Sequence, residues 1–326
     1  MTIDWQPLQK IIGEHESFLL TSHCRADCDA LGSELAMAEI LEQLGKKVRI
    51  VNGDEVPRHI SFIDAENRIE TLESGVTASD LQDTEVLMVL DTSAWVQLGP
   101  MAEVVKRFSG IRVVIDHHVS QDDMKATVFK DSTSEATGRL ILELCNALNV
   151  SVTPSIAHQL FTAIATDTGW FRFASVTEKT FSALAQLVAA GASPPQVFAA
   201  LYERHTLARL KLRARILENI KPLVGGKLMV TEIFQQDFTE TGAEPADTED
   251  VINTLLTVAG SQVAVMFVEL NRITKVSLRS RTDFDVRAVA EQFGGGGHKA
   301  AAGIAYEGSL AEARTAVLKV LEAELK

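Results

Sequence analysis

The chain has 326 residues, 46% hydrophobic and 23% charged, which supplies apolar mass for two globular cores and argues for two domains rather than one. With 44 acidic against 31 basic residues the formal net charge is −13, so the surface as a whole repels polyanions. That excludes a protein that coats long duplex DNA but not one that holds a small phosphorylated substrate through local cations. No apolar run approaches the roughly 18 residues that span a bilayer, so no membrane partner is expected. The N-terminus shows no basic segment leading into an apolar one. Three cysteines, Cys24, Cys28 and Cys145, imply no disulfide framework and fit a reducing, cytoplasmic setting.

Trp5, Leu8, Ile11 and Ile12 recur at helical spacing and predict a first helix over 5–15. Ser17–Ser22 reads as a strand, and the loop after it carries His23, Asp27 and Asp29 before a helix over 30–41. Lys47–Val51, Glu85–Leu90 and Ile111–Ile115 are further apolar runs of the kind buried on both faces of a parallel sheet. Strand, acidic loop and helix alternate, the pattern of an open α/β domain that places ligands at the carboxyl ends of its strands. The stretch 131–137 is expected to cap a helix running to about Asn146, with Ser132 or Thr133 satisfying its first N–H groups. A helix over 154–167 ends at Thr168-Gly169, and residues 177–223 read as helical, broken at Pro194-Pro195. Strands over 227–233, 262–270 and 272–279, a helix around 248–258 and a closing helix over 310–324 predict a second, smaller domain. The boundaries read as 1–189 for the first domain, 190–223 for a helical connector and 224–326 for the second.

Four acid clusters fall at predicted strand or helix ends: the His23–Asp29 loop, Asp91 after Leu90, Asp116-His117-His118 after Ile115, and Asp167 before Thr168-Gly169. His23, Asp27, Asp29, Asp91, His117 and Asp167 make a carboxylate-rich, thiolate-free donor set, which favours manganese, magnesium or cobalt over a structural zinc. Asp91, ending a separate strand, is placed to bridge two ions. Two such ions activate water and offset charge on a phosphoryl group, so hydrolysis of a phosphoester or phosphoanhydride is the expected reaction. Asp116 is expected to orient a neighbouring histidine, His118 to donate to a phosphate oxygen, and Arg172 to reach the substrate. Cys24 and Cys28 lack a second Cys/His pair and are not expected to hold zinc. In the second domain, residues 271–300 hold six Lys/Arg against three Asp/Glu. There Arg279, Ser280 and Arg281 precede the run Gly294–Gly297 and His298. Gly295, Gly296 and Gly297 are expected to expose backbone N–H groups in a concave turn suited to an anionic oxygen, with His298 and the arginines adding charge.

These clusters, with Asp116-His117-His118, resemble the DHH phosphoesterase superfamily, and Gly294-Gly-Gly-Gly-His298-Lys-Ala-Ala-Ala-Gly303 resembles the signature of its companion DHHA1 domain. The resemblance spans essentially the whole chain and is most similar to the NrnA-type oligoribonucleases. It implies an α/β fold, with a parallel-sheet DHH domain, a smaller mixed-sheet α/β DHHA1 domain and the active site in the cleft between them. It also implies two Mn2+ held by His23, Asp27, Asp29, Asp91, His117 and Asp167, and substrate contacts from His118, Arg279 and His298. The expected activity is hydrolysis of short single-stranded RNA to mononucleotides and of 3′-phosphoadenosine 5′-phosphate (pAp) to AMP. The resemblance also suggests a homodimer. A cyclic di-AMP or pApA phosphodiesterase is the alternative, and a nucleotide-binding protein without chemistry the third reading. The loop departs from the family pattern at Ala26, where proline is usual, and at Cys28, which stands for a small residue; neither removes a ligand.

Overall fold

The computed structural model describes residues 3–81, 83–249 and 251–325, with the backbone but not the side chain of His298. The chain divides into two compact units, Met1–Arg204 and His205–Lys326.

In the first unit the elements are α1 (Gln6–Glu14), β1 (Ser17–Thr21), α2 (Cys28–Gln43), β2 (Lys47–Asn52), β3 (Ile69–Thr71), β4 (Val86–Leu90), α3 (Met101–Arg107), β5 (Ile111–Asp116) and β6 (Thr127–Lys130). They are followed by α4 (Thr137–Ala147), α5 (Pro154–Asp167), α6 (Glu178–Ala189) and α7 (Pro194–Tyr202). The six strands form one parallel sheet in the order β3-β2-β1-β4-β5-β6. The continuously apolar strands are continuously apolar because both sheet faces are covered. Val86, Met88 and Leu90 of β4 enter the core shared with α2, α4 and α5, while Leu87 and Val89 enter the core on the other face. Strand order reverses between β1 and β4, so the loops leaving their carboxyl ends diverge and open a crevice.

Two glycines let the helices on one face approach closely. A Cβ at Gly32 of α2 would lie 2.7 Å from the Gln159 carbonyl oxygen of α5, and one at Gly138 of α4 would lie 2.6 Å from Ala163 Cβ, also on α5. Gly32→Ala is therefore expected to cost about 1–3 kcal/mol through overpacking, read as a lower denaturant midpoint with unchanged m-value.

Helix α4 begins at Thr137, later than the local Ser and Thr residues predict, and its N-cap, Ala136, offers no side chain for the role. The short elements β3, β6 and α3 were not legible as separate elements, each being too brief to show a period. Among the described residues, no single helix is long and apolar enough to cross a membrane.

The second unit holds α8 (Leu207–Glu218), β7 (Lys221–Leu223), β8 (Leu228–Ile233), α9 (Gln235–Thr241), α10 (Val251–Leu255), β9 (Val263–Glu269), β10 (Thr274–Ser280), α11 (Val286–Glu291), β11 (Gly296–His298), β12 (Ala301–Tyr306) and α12 (Leu310–Glu324). Its sheet runs β11-β12-β10-β9-β8-β7 and is mixed: β8 and β9 are parallel, the other pairs antiparallel. One face packs on α11 and α12, the other on α8 and α10. The units part inside segment 190–223, with α7 in the first and α8 in the second.

Candidate metal centre

The crevice at β1 and β4 gathers the acids. Asp27 is the N-cap of α2, its Oδ1 accepting the N–H groups of Asp29 at 2.9 Å and Ala30 at 3.1 Å. A cap of this kind is worth about 1 kcal/mol. Asp29, two residues on, turns the other way. It lies at the amino end of α4, accepting Thr137 N–H at 2.7 Å on Oδ2 and Gly138 N–H at 2.8 Å on Oδ1. The acid from α2 thus does what the local Ser132 and Thr133 were expected to do, with the helix dipole adding to the hydrogen bonds.

Asp91 leaves β4 with φ 61°, a left-handed conformation that costs a non-glycine residue on the order of 1 kcal/mol and swings its carboxylate across the crevice. Its Oδ1 accepts the Thr137 hydroxyl at 2.9 Å and lies 3.5 Å from His117 Nε2, while its Oδ2 lies 3.4 Å from His23 Nε2. His117 Nε2 is also 3.4 Å from Asp167 Oδ2 and 3.8 Å from Asp29 Oδ2. Both histidines aim Nε2 inward because Nδ1–H is engaged by a carbonyl, Cys24 at 2.9 Å for His23 and Ser134 at 3.2 Å for His117.

The donor atoms fall into groups that span no more than 4.8 Å: His23, Asp27 and Asp91; Asp29, His117 and Asp167; and Asp91, His117 and His118. All six residues expected as ligands are brought together. Among the described residues of this unit the partners of the four carboxylates are histidines, two hydroxyls and backbone N–H groups. Burial pushes Asp29 well above the usual carboxylate range, and the charges of Asp91, Asp167 and Asp27 push it further. Burial and the Asp27 charge do the same to Asp91 against the Thr137 hydroxyl, and burial raises Asp167 with His117 partly offsetting it. Asp167 also ends α5, where the dipole opposes a negative charge. Such a cluster ionises at neutral pH at a high cost unless cations occupy it, and its oxygen and imidazole donors suit manganese, magnesium or cobalt. These residues could hold metal. Burial holds the Cys28 thiol up to about 12, so it offers no thiolate.

Asp116 lies behind His118 as expected, accepting His118 Nδ1–H at 2.9 Å and its backbone N–H at 3.0 Å. Two further partners of Asp116 are not evident in the sequence. Ser93 Oγ donates to Asp116 Oδ2 at 2.5 Å, Lys130 Nζ lies 3.0 Å from the same oxygen, and Lys130 also reaches Ser93 Oγ at 2.7 Å. Burial raises Asp116, but hydrogen bonds from His118, Ser93 and Lys130 outweigh it and hold the carboxyl below its ordinary range. The Asp116 hydrogen bond in turn raises His118. Lys130 ends β6 in register with Asp116, a pairing that no sequence pattern shows. Lys130→Met is expected to cost roughly 2–3 kcal/mol by denaturant melt, since it strips a charge-assisted partner from a buried carboxylate that keeps two others.

Arg172 is exposed on the loop after α5, its Nε donating to the Gly169 carbonyl at 2.7 Å. In the second unit the expected anion site is only partly assembled. Lys275, Ser277 and Arg279 share one face of β10, whereas Thr274, Val276, Leu278 and Ser280 point to the buried face. Ser280 is buried and bonded around Thr282, and Arg281 turns back to donate to the Leu256 carbonyl at 2.5 Å, so neither stands beside Arg279. The glycine run is not a concave turn throughout. Gly296 and Gly297 belong to β11, and register sets the position of His298 opposite Ala301, itself opposite Arg279. Gly295 and Gly297 are needed for close approach, since a Cβ at either would lie within 2.3 or 2.4 Å of the Gly303 or Ala301 carbonyl oxygen. The role expected of the His298 side chain lies outside the described residues.

The first unit is a parallel sheet with acids and histidines at its switch point, and the second a mixed sheet. The profile of the DHH family, N-terminal domain, matches residues 17–166, and that of the DHHA1 domain matches 225–326. Over 311 residues the chain is 30% identical to a protein of Thermus thermophilus described as a bifunctional oligoribonuclease and PAP phosphatase NrnA, covering 94% of this chain and 89% of that one. The chain belongs to the DHH family, whose members are hydrolases acting on phosphoric esters. Its fold is similar to that of an exopolyphosphatase-related protein from Bacteroides fragilis, with TM-score 0.90 at 21% identity over 99% of this chain and 98% of the other. It is also similar in fold to exonuclease RecJ crystallised with manganese, with TM-score 0.58 at 15% identity over 99% and 95%.

Proposed function

We propose that this protein is a hydrolase dependent on two divalent cations, manganese foremost, that cuts short oligoribonucleotides to mononucleotides and converts pAp to AMP. The observation that carries the reading is Asp91, whose two oxygens face two separate donor groups, His23 on one side and His117 on the other. The similarity to the Thermus thermophilus protein along nearly the whole chain supports the choice of substrates. His23, Asp27 and Asp91 would hold one cation, and Asp29, Asp91, His117 and Asp167 the other. Cations bound there supply water of lowered pKa and neutralise charge on the phosphoryl oxygens.

The remaining roles belong to side chains. His118, held protonated longer than an ordinary imidazole by Asp116, keeps Nδ1–H on that carboxylate and turns Nε2–H toward a phosphoryl or departing oxygen. Asp116 stays ionised because Ser93 and Lys130 hold it, so the imidazole orientation survives each proton exchange. In the second unit, Arg279 and the backbone of Gly295–Gly297 are the proposed nucleotide-recognition surface.

The test is a panel of pAp, a ribodinucleotide, a five-nucleotide RNA, cyclic di-AMP and pyrophosphate, assayed in manganese and in magnesium. Turnover of the dinucleotide and pAp, best in manganese, is expected. Hydrolysis of cyclic di-AMP without hydrolysis of short linear RNA would overturn the reading.

A further inference from the structure

Directly after Asp167 and Thr168, the residues Gly169, Trp170 and Phe171 all have left-handed backbones, with φ of 57°, 58° and 65°. Two of the three are bulky aromatics, for which this conformation is strained, so the surrounding structure must impose it. Thr168 does much of that. Its hydroxyl accepts Phe171 N–H at 3.2 Å, and its carbonyl accepts the N–H groups of Arg172 at 3.0 Å and Phe173 at 3.1 Å. Ala165 O accepts Trp170 N–H at 2.7 Å. Packing does the rest: Trp170 lies against the rings of Phe161, Phe198 and Tyr202, and Phe171 against Phe161 and Phe181.

What the turn achieves is the placement of the next two side chains. Arg172 is fixed by its Nε bond to the Gly169 carbonyl. Phe173 folds over Gly169 so closely that a Cβ there would lie 2.4 Å from the ring, yet Phe173 remains 54% exposed. Its ring joins none of the aromatic pairs of its neighbours among the described residues. An aromatic ring presented to solvent on a stiffened turn, beside a guanidinium and six residues past a candidate metal ligand, has the chemistry of a nucleotide contact. The ring offers a π face and the guanidinium a charge for phosphate.

We propose that Phe173, seated on Gly169 beside Arg172, is a stacking platform for a base of the substrate. This rests on the oligoribonucleotide reading and adds to it a base-binding position. Phe173 carries no polar atom, so the platform holds any base and does not select by hydrogen bonding. Gly169 is fixed by the same geometry, because any side chain there would displace the ring.

The test compares wild type with Phe173→Ala, Phe173→Leu and Phe173→Trp on a ribodinucleotide and on its abasic analogue, alongside calorimetric binding of AMP and ribose 5-phosphate. Phe173→Ala is expected to raise KM for the dinucleotide about 5- to 150-fold, the equivalent of 1–3 kcal/mol per stacked base. It should leave kcat and the abasic substrate little changed. Phe173→Trp should restore KM and Phe173→Leu should not. AMP should lose affinity in Phe173→Ala while ribose 5-phosphate does not. Equal effects on based and abasic ligands, no effect on either, or rescue by leucine overturns the platform. If wild type cuts neither substrate, the oligoribonucleotide reading fails, and the AMP comparison still decides the platform by itself.

Discussion

Asp91→Asn is expected to lower kcat/KM on a ribodinucleotide in manganese by at least about 10³-fold, and at the same time to raise the stability of the chelator-treated protein. The two effects have opposite signs for one reason. Asp91 is buried among acids, and burial with the charges of Asp27 and Asp167 pushes its carboxyl well above the usual range. Without cations its ionisation at neutral pH opposes folding; with them its two oxygens serve both donor groups. Asparagine keeps the shape, accepts the Thr137 hydroxyl and tolerates the left-handed backbone that Asp91 adopts, so the substitution removes charge and little else. Thermal melts at pH 8 should show the variant above wild type in chelator, by about 2–4 °C for each kcal/mol gained, with no rise on adding manganese. Wild type should rise with manganese. A variant that keeps manganese-dependent stabilisation and activity within tenfold of wild type would remove Asp91 from the centre.

The metal-free protein should also lose stability as pH rises from about 4.5 to 8, and Glu34 should account for a share on the order of 5 kcal/mol. Glu34 is completely buried on α2, accepting Asn52 Nδ2–H at 2.9 Å, and Asn52 Oδ1 in turn accepts Ser22 N–H at 3.0 Å, one residue before His23. Burial pushes its carboxyl up to about 8, against the hydrogen bond from Asn52. In that window the folded protein holds a proton that the unfolded chain has released. The unfolded state is therefore favoured by each increment of pH, and the contribution is complete below 4.5 and gone above 8. Glu34→Gln carries no titrating proton and should flatten the corresponding part of the profile. Denaturant midpoints at intervals from pH 5 to 9 for both proteins in chelator check this, and parallel curves would rule Glu34 out as the source.

The parts of this structure that were legible in the sequence are those written locally. Continuous apolar runs marked β1, β4 and β5 because both faces of the sheet are covered, and acids at their ends marked the crevice. What was not legible depends on partners far along the chain. Nothing near Thr137 says that its helix is capped by Asp29, so a local reading chose Ser132 and Thr133, the usual capping types. Lys130 escaped notice because β6 is four residues long and shows no period. The glycine run read as a turn because glycine carries no pattern to reveal a strand, although two of its members are packed against the β12 backbone. Ser280 is different. Period-two alternation from Thr274 already placed it on the buried face, away from Arg279, and the signal was available.

The donors that hold Asp29 belong to a helix 108 residues further along the chain. A polypeptide still emerging from the ribosome therefore cannot complete the acid cluster until that helix has been made and docked. Asp167 comes later still, at the end of α5, so the acid cluster is complete only once both helices have docked.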